Sequence, residues 1–413
     1  MLQNDSNRDS ASTLGVASAA HCERAAPSRA PSPRAGRAGT ILMDGRYLGP
    51  RASGIGRYHR ELALGMQRLR PELAFRFIVR RHGDESPLKS GGSLEFDHAP
   101  YGPFTSLSLG RRLHTAGSAD VFHSPFHVLP RTLACPAVVT MHDAFQFEQL
   151  KTSNYPAPVS WAEWAYFLWA IPETLQRARR IICVSQTTAD EVLRHVPTVR
   201  DKVRVVPHGV TALFRRLEDR GAVARRCATL VGSPEPFVLA IGGVSPNKNH
   251  ERTLRAFAAA FPEGSPVRFA LVTRFGSSAR LVALARELGV SDRYVPLGSP
   301  SDRDLVTLLN GAAVLSFCST VEGFGLPILE AMACGCPVLT SLTSCMPEIA
   351  GNAALLADPY STRDMASKLR AVLNDAHLRE ELSEKGLQRA RGFTWEKAAR
   401  ATLEVYDECL AGA

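Results

Sequence analysis

The sequence predicts an α/β protein of two doubly wound, parallel-sheet domains. Three observations lead there. The chain has 413 residues, 45% apolar and 22% charged, enough to bury a large core and, at roughly 150 residues per domain, to fill two or three domains. From Thr40 onward, short β-branched or apolar runs alternate with amphipathic segments, the pattern of a parallel sheet covered by helices on both faces. The alternation breaks once, in the polar, Arg-rich stretch 211–235, and then resumes. A mean hydropathy of -0.08 is far from that of a multi-span membrane protein.

Taken in order, residues 1–39 are rich in Ser, Ala, Arg and Pro without apolar period, so a disordered arm is expected. They lack the apolar stretch of a secretory signal. In a first domain over 40–210, strands are expected at 40–44, 75–80, 120–123, 137–142, 180–185 and 203–206. Helices are expected at 55–70, 160–178 and 187–195. The stretch 211–235 reads as a linker. A second domain over 236–392 has expected strands at 237–241, 268–273, 293–297, 312–317, 337–341 and 353–357, with helices at 249–261, 278–288, 302–311 and 327–334. Residues 362–391 and the closing segment 393–413 read as further helices. Two such domains place a ligand cleft between them, at the carboxyl ends of the strands.

Charge and cysteine usage narrow the function class. Residues 1–210 carry 26 Lys and Arg against 18 Asp and Glu, and residues 211–413 carry 23 against 22. The basic excess therefore lies in the first half, where it suits nucleic acid, anionic lipid or an acidic substrate, or is a solvated surface. No aromatic-basic module of a nucleic-acid binder is present, so no nucleic-acid partner is expected. The nine cysteines form no CxxC pair and no zinc-spaced cluster, which fits a reduced, cytoplasmic compartment.

The most informative string is Thr320-Val321-Glu322-Gly323-Phe324-Gly325-Leu326-Pro327-Ile328-Leu329-Glu330. A buried strand runs into a glycine-flanked loop, and Pro327 suits the first turn of a helix. Loop amides and the helix N-terminus form an anion site that Gly323 and Gly325 let a ligand approach. Glu322 on the loop and Glu330 in the first helical turn are acceptors for sugar or ribose hydroxyls. The alternative is a helix-capping arrangement of two acids.

With Gly335-Cys336-Pro337-Val338, Pro347-Glu348-Ile349-Ala350-Gly351, Gly54-Ile55-Gly56-Arg57-Tyr58 and Val206-Pro207-His208-Gly209-Val210, this string resembles the retaining GT-B glycosyltransferases of family 4, whose signature is E-x7-E. The variant Pro246-Asn247-Lys248-Asn249 is similar to that of bacterial mannosyltransferases of surface polysaccharide assembly. The resemblance implies two Rossmann-like domains facing across a cleft, the second holding a nucleotide sugar, with GDP-mannose the expected donor. It implies no cofactor and no metal, and a glycan or lipid-linked acceptor in the first domain. It assigns Glu330 to the ribose and Glu322 to the donor sugar. Gly323, Phe324, Gly325, Leu326 and Asn247 would line the donor site. Lys248 matches the family's phosphate-binding lysine. The usual partner arginine is absent, Gly243 taking its place, which leaves an Arg from elsewhere, such as Arg274, to complete the charge. Nucleotide-sugar epimerases and phosphorylases of the same fold are the enzyme alternative.

In the first domain, Val138-Val139-Thr140-Met141-His142-Asp143 is a buried strand ending in the cleft. The resemblance gives His142 to the donor sugar or acceptor; a cleft role and a helix-capping role are both open to Asp143. His123 and His127 are further rim residues. Gly54, Gly56 and Arg57 follow the first strand in a loop that admits a phosphate or acceptor, or is a plain tight turn. Asp302-Arg303-Asp304 reproduces a D-x-D metal string, but Ser301 before it makes a capped helix start the better reading. The helix stripe Trp161, Trp164 and Phe167 reads as core-facing or, beside the basic first domain, as a peripheral contact with an anionic membrane.

Overall fold

A computed structural model describes residues 39–48, 54–81, 92–100, 102–115, 119–144, 147, 161–273 and 278–411, with the backbone alone for 161–164. The arm expected over 1–39 lies outside the described residues apart from its last residue, Gly39. From Thr40 the chain builds two sheets in which every pairing is parallel. The first has seven strands, β1 (Thr40–Asp44), β2 (Ala74–Val79), β3 (Ser93–Glu95), β4 (Val121–Ser124), β5 (Ala137–Met141), β6 (Arg180–Cys183) and β7 (Val203–Val205). Their order is β3-β2-β1-β4-β5-β6-β7. The second has six, β8 (Phe237–Ile241), β9 (Arg268–Val272), β10 (Tyr294–Gly298), β11 (Val314–Phe317), β12 (Val338–Ser341) and β13 (Leu355–Ala357), ordered β10-β9-β8-β11-β12-β13.

Continuous apolar runs form these strands because both sheet faces are covered. Along β8, Phe237 and Leu239 enter one core with the helices Asp302–Gly311 and Leu326–Ala333. Val238 and Ala240 enter the other, with His250–Ala260 and Thr362–Asn374. Pro296 is tolerated in β10 because that strand is an edge.

Departures from the sequence reading include the following segments. Within 211–235, expected as a linker, Arg220–Val231 is a helix that buries Val223, Cys227 and Val231 in the second sheet's core. Its apolar positions recur four residues apart, but the intervening arginines mask the period in the composition. The region 362–391 is two helices, Thr362–Asn374 and Ala376–Ala390, because Asp375 stops the first and caps the second by accepting from Leu378 N at 2.9 Å. β3 was not expected: it is a short edge strand with a largely exposed, Ser- and Glu-flanked sequence. The last helix, Trp395–Ala411, crosses back and packs Trp395, Ala399 and Tyr406 against Tyr58, Leu62 and Met66 of the helix Gly54–Leu69 in the first sheet's core. Glu408 pins it to β6 and β7 through Arg180 at 2.6 Å and Arg204 at 2.7 Å.

Candidate active site

In each sheet the chain runs outward on one side, then returns to start the other side. The switch points lie at β1/β4 and at β8/β11, and the crevice outside the strand carboxyl ends there is where open parallel sheets take ligands. Lys248 follows β8 and Glu322 follows β11, so the two residues stand on opposite lips of the second crevice. They meet: Lys248 Nζ donates to Glu322 Oε1 at 2.6 Å, and the ammonium lies 5.3 Å from the centre of the Phe317 ring. A Cβ added at Gly243 would meet nothing within 4 Å, so the loop after β8 borders open space. Asn247 bonds the facing loop. Its side-chain amide donates to Val321 O at 3.2 Å and its carbonyl accepts from Thr320 N at 2.8 Å, tying the β8 loop to the β11 loop just ahead of Glu322.

The helix Leu326–Ala333 starts at Gly325, whose φ of 88° is the left-handed region that glycine enters without Cβ strain. Pro327 occupies the first turn as expected. Glu330 is the fifth residue of the helix and so stands in its second turn, a correction to the first-turn expectation. It is 5% exposed, and burial raises its carboxyl above the usual carboxylate range while Arg57 opposes the rise. Arg57, from the helix Gly54–Leu69 of the first sheet, reaches across the cleft and pairs with Glu330. The same guanidinium lies 3.3 Å from Asp302 and 5.3 Å from the Phe214 ring centre.

The facing wall comes from the first sheet. His142 follows β5 and is half-buried; burial of its ring holds the pKa at about 4, so the imidazole is neutral at pH 7. The ring bonds the Pro125 carbonyl, which can only accept, and Nε2 has no protein partner. His142 lies edge-on to Tyr58 at 4.7 Å and stacks on His208 at 5.4 Å, and His208 meets Phe324 edge-on at 4.6 Å. Phe324, a donor-loop residue in the sequence reading, is thus part of the floor that joins the two walls. His123 is structural in its contacts, bonded to Tyr406 at 2.5 Å and Thr140 at 2.8 Å. His127 is buried beside Phe126 and Phe167.

The walls touch at Gly323. A Cβ there would stand 1.6 Å from the His142 carbonyl oxygen, so only glycine permits this approach. Its own carbonyl accepts from Ser185 Oγ at 2.7 Å and Thr188 Oγ1 at 3.1 Å. Glu348, from the second sheet's side, caps the helix Gln186–His195 of the first: its carboxylate accepts from Gln186 N at 2.7 Å and Thr187 N at 3.0 Å. A cavity of about 200 Å³ remains between the walls, lined by Asp143, Thr187, Glu322 and Ser344 among others. A larger one, about 770 Å³, opens beside Phe237 and Ala313, at the amino ends of β8 and β11. Of the two, only the smaller lies at the carboxyl ends of the strands, where open parallel sheets take ligands.

Comparison with known proteins agrees with this architecture. A family model described as Glycosyltransferase Family 4 matches residues 52–212, and one described as Glycosyl transferases group 1 matches 227–389. A D-inositol 3-phosphate glycosyltransferase from Streptomyces bingchenggensis is 32% identical over 358 residues, 81% of this chain and 76% of the relative. The chain belongs to glycosyltransferase family 4, with the GT-B fold. Among other relatives of this glycosyltransferase, O-antigen chain mannosyltransferase B of Escherichia coli is 29% identical over 296 residues, 69% of this chain and 74% of that one. Serotype-specific mannosyltransferase WbdA of the same organism is 27% identical over 239 residues, 57% of this chain; the chain matches 29% of WbdA's length. Two solved structures share the fold: sucrose-phosphate synthase from Thermosynechococcus elongatus (TM-score 0.71, 21% identity, covering 91% of this chain and 100% of that one) and HepE from Anabaena in complex with UDP and glucose (TM-score 0.69, 16% identity, 89% and 99%).

The remaining sequence-based candidates of the glycosyltransferase are placed as follows. Gly54 opens the helix Gly54–Leu69 and Gly56 is buried within it. Arg274 lies outside the described residues. Asp304 caps from within: its N–H bonds Ser301 Oγ at 3.1 Å and its carboxylate pairs with Arg226 at 2.8 Å, so the D-x-D string is a helix start. Among the described residues no group of three or more His, Cys, Asp or Glu could hold a metal, and every cysteine is a free thiol. No described helix is long and apolar enough to cross a membrane. In the helix Trp161–Arg177, Phe167 packs partly buried against the core, while Leu168 and Trp169 face outward. Trp169 lies under Arg131 at 5.5 Å, and Phe104 and Leu107 are exposed on the segment that Ser106 ties to Tyr166 at 2.7 Å. Phe104, Leu107, Leu168 and Trp169 are therefore the exposed apolar side chains of these segments, with Arg111, Arg112 and Arg131 on neighbouring ones. Sequence reasoning left His208, Ser185, Thr188 and Glu348 without roles. His208 and Glu348 stand in matched strings, the signal that pointed to them; Ser185 and Thr188 had none.

Proposed function

We propose that the chain moves a hexose, mannose from GDP-mannose as the best reading, to a glycan or lipid-linked acceptor with retention, in surface polysaccharide biosynthesis at the cytoplasmic face of the membrane. The observation that carries the donor side is the Lys248–Glu322 pair at the β8/β11 switch point, beside the open space at Gly243 and the N-terminus of the helix Leu326–Ala333. In this reading the diphosphate lies over the loop amides and that N-terminus, with Lys248 neutralising the leaving charge without a metal. Glu330 accepts from the ribose hydroxyls. Glu322, released from Lys248 by the phosphate, accepts from the sugar's hydroxyls. The neutral His142, with Nε2 free to accept, takes a hydrogen bond from a sugar hydroxyl on the opposite wall.

Retention then follows from attack on the face the phosphate leaves, with the leaving phosphate accepting the acceptor's proton. The mannose assignment is supported by two relatives named mannosyltransferases, and the acceptor class by the O-antigen name of one of them. A nucleotide sugar as donor is supported by the fold shared with HepE, which was solved with UDP and glucose. The patch Phe104, Leu107, Leu168 and Trp169 with its neighbouring arginines supports a peripheral contact with anionic lipid. A panel of nucleoside diphosphate hexoses, each incubated with lipid-linked glycan, tests the reading. Nucleoside diphosphate release highest with GDP-mannose, and a product of unchanged anomeric configuration by NMR, are expected. Inversion, or a clear preference for another donor, would overturn the corresponding part.

A further inference from the structure

The contact of Arg57 with Glu330 places a first-half cation on the carboxylate that the proposed function gives to the donor's ribose. Arg57 holds Glu330 Oε1, one of the two oxygens that a ribose diol would use. The Arg57 side chain is 23% exposed, its guanidinium bonded to Glu330, 3.3 Å from Asp302 and set over Phe214, so it occupies a formed seat. Glu330 is buried, and an isolated buried carboxylate is costly, so some partner must sit on it. When ribose hydroxyls take that role, the half-buried guanidinium keeps only Asp302 and is left able to turn to another anion.

The nearest new anion is the donor's diphosphate. It would lie at the N-terminus of the helix Leu326–Ala333, four residues before Glu330, about 6 Å along the helix axis. The loop after β8 offers one cation there, Lys248. Arginine suits the task because its fork binds phosphate in two contacts and never deprotonates. We propose that Arg57 is a donor-displaced latch: parked on Glu330 in the empty enzyme, it is exchanged for the ribose and passes to the diphosphate, supplying the second positive charge the β8 loop lacks. The inference rests on the donor reading of the site and adds the exchange. One consequence is selectivity: a nucleoside pays for displacing Arg57 and gains no phosphate contact in return.

Titration calorimetry with GDP, UDP and ADP, and with the matching nucleosides, tests the exchange in the full chain. The base that wild type binds is used for Arg57→Gln and Arg57→Lys. The diphosphate-to-nucleoside affinity ratio is expected to fall about tenfold or more in Arg57→Gln, the size of one lost charged hydrogen bond. Most of that ratio should be kept in Arg57→Lys, which retains the charge. An unchanged ratio in Arg57→Gln, both ligands shifting by the same factor, overturns the exchange while leaving the donor site standing. Wild type that binds none of the diphosphates overturns the donor reading and the exchange with it.

Discussion

Replacing Gly323 by Ala tests whether contact between the two walls is needed for turnover. The new methyl would stand 1.6 Å from the His142 carbonyl oxygen, 2.6 Å from its carbon and 2.9 Å from Asp143 Cα. All three are backbone atoms, so no rotamer change can relieve the clash. Restoring even a 3.0 Å contact requires the walls to part by about 1.4 Å. That movement stretches the Ser185–Gly323 bond from 2.7 Å to beyond hydrogen-bond range and strains the cap that Glu348 places on Gln186 and Thr187. A misplacement of about 1 Å at reacting groups costs on the order of 100-fold in rate. Each half keeps its own core, so the variant should fold. The expected result is a kcat lower by about 100-fold, with nucleoside diphosphate affinity changed far less and a cooperative melt retained. Wild-type kcat in Gly323→Ala would refute the argument that this contact sets the catalytic geometry.

Glu322→Ala and Lys248→Ala should each lower transfer by roughly 10- to 100-fold with the fold intact, read by product formation and melting temperature; wild-type turnover removes that residue from the site. Turnover should survive excess EDTA, and a loss restored by Mg2+ or Mn2+ would reopen the charge-neutralisation scheme. Acid should destabilise the protein between about pH 6.5 and 4. Burial depresses His59, His142 and His250 to about 4 and His123 and His127 to about 3, so in this window the unfolded chain binds protons that the native state refuses. Their stabilisation is full above pH 6.5 and is lost on the way down, at about 1.4 kcal/mol per pH unit for each proton. Urea midpoints that stay flat from pH 7 to 5 would contradict this. Anionic vesicles should pellet the protein at low salt and release it as salt rises, with Phe104→Ser/Trp169→Ser binding less; equal pelleting with neutral vesicles discards the patch.

Strands and most helices were legible because both sheets bury both faces, which turns each strand into an unbroken apolar run and each helix into a periodic one. What escaped was decided by contacts between distant segments. The helix Arg220–Val231 hides a sparse Val223, Cys227, Val231 period among arginines and is held by the core it meets. β3 exists because β2 offers it an edge. Glu322, Lys248 and Gly325 could be read from local string and chain position. The pairing of Glu330 with Arg57, 273 residues away, could not, since no periodicity links them. The amide of Asn247, a donor-site candidate in the sequence, also ties two loops, a contact that depends on where Val321 lies. Of the Trp161, Trp164, Phe167 stripe, Phe167 packs against His127 and the core, while Phe104, Leu107, Leu168 and Trp169 are exposed. The side chains of Trp161 and Trp164 lie outside the described residues.

In the proposed function the β8/β11 crevice holds the donor's nucleoside diphosphate, with Lys248 on the phosphates and Glu330 on the ribose. Calorimetric titration of GDP into wild type, Lys248→Ala and Glu330→Gln tests it directly. Measurable binding in wild type, weakened about tenfold or more in each variant while the melting transition stays cooperative, is the predicted result. Equal affinity in all three proteins would contradict the claim and move the nucleotide out of this crevice.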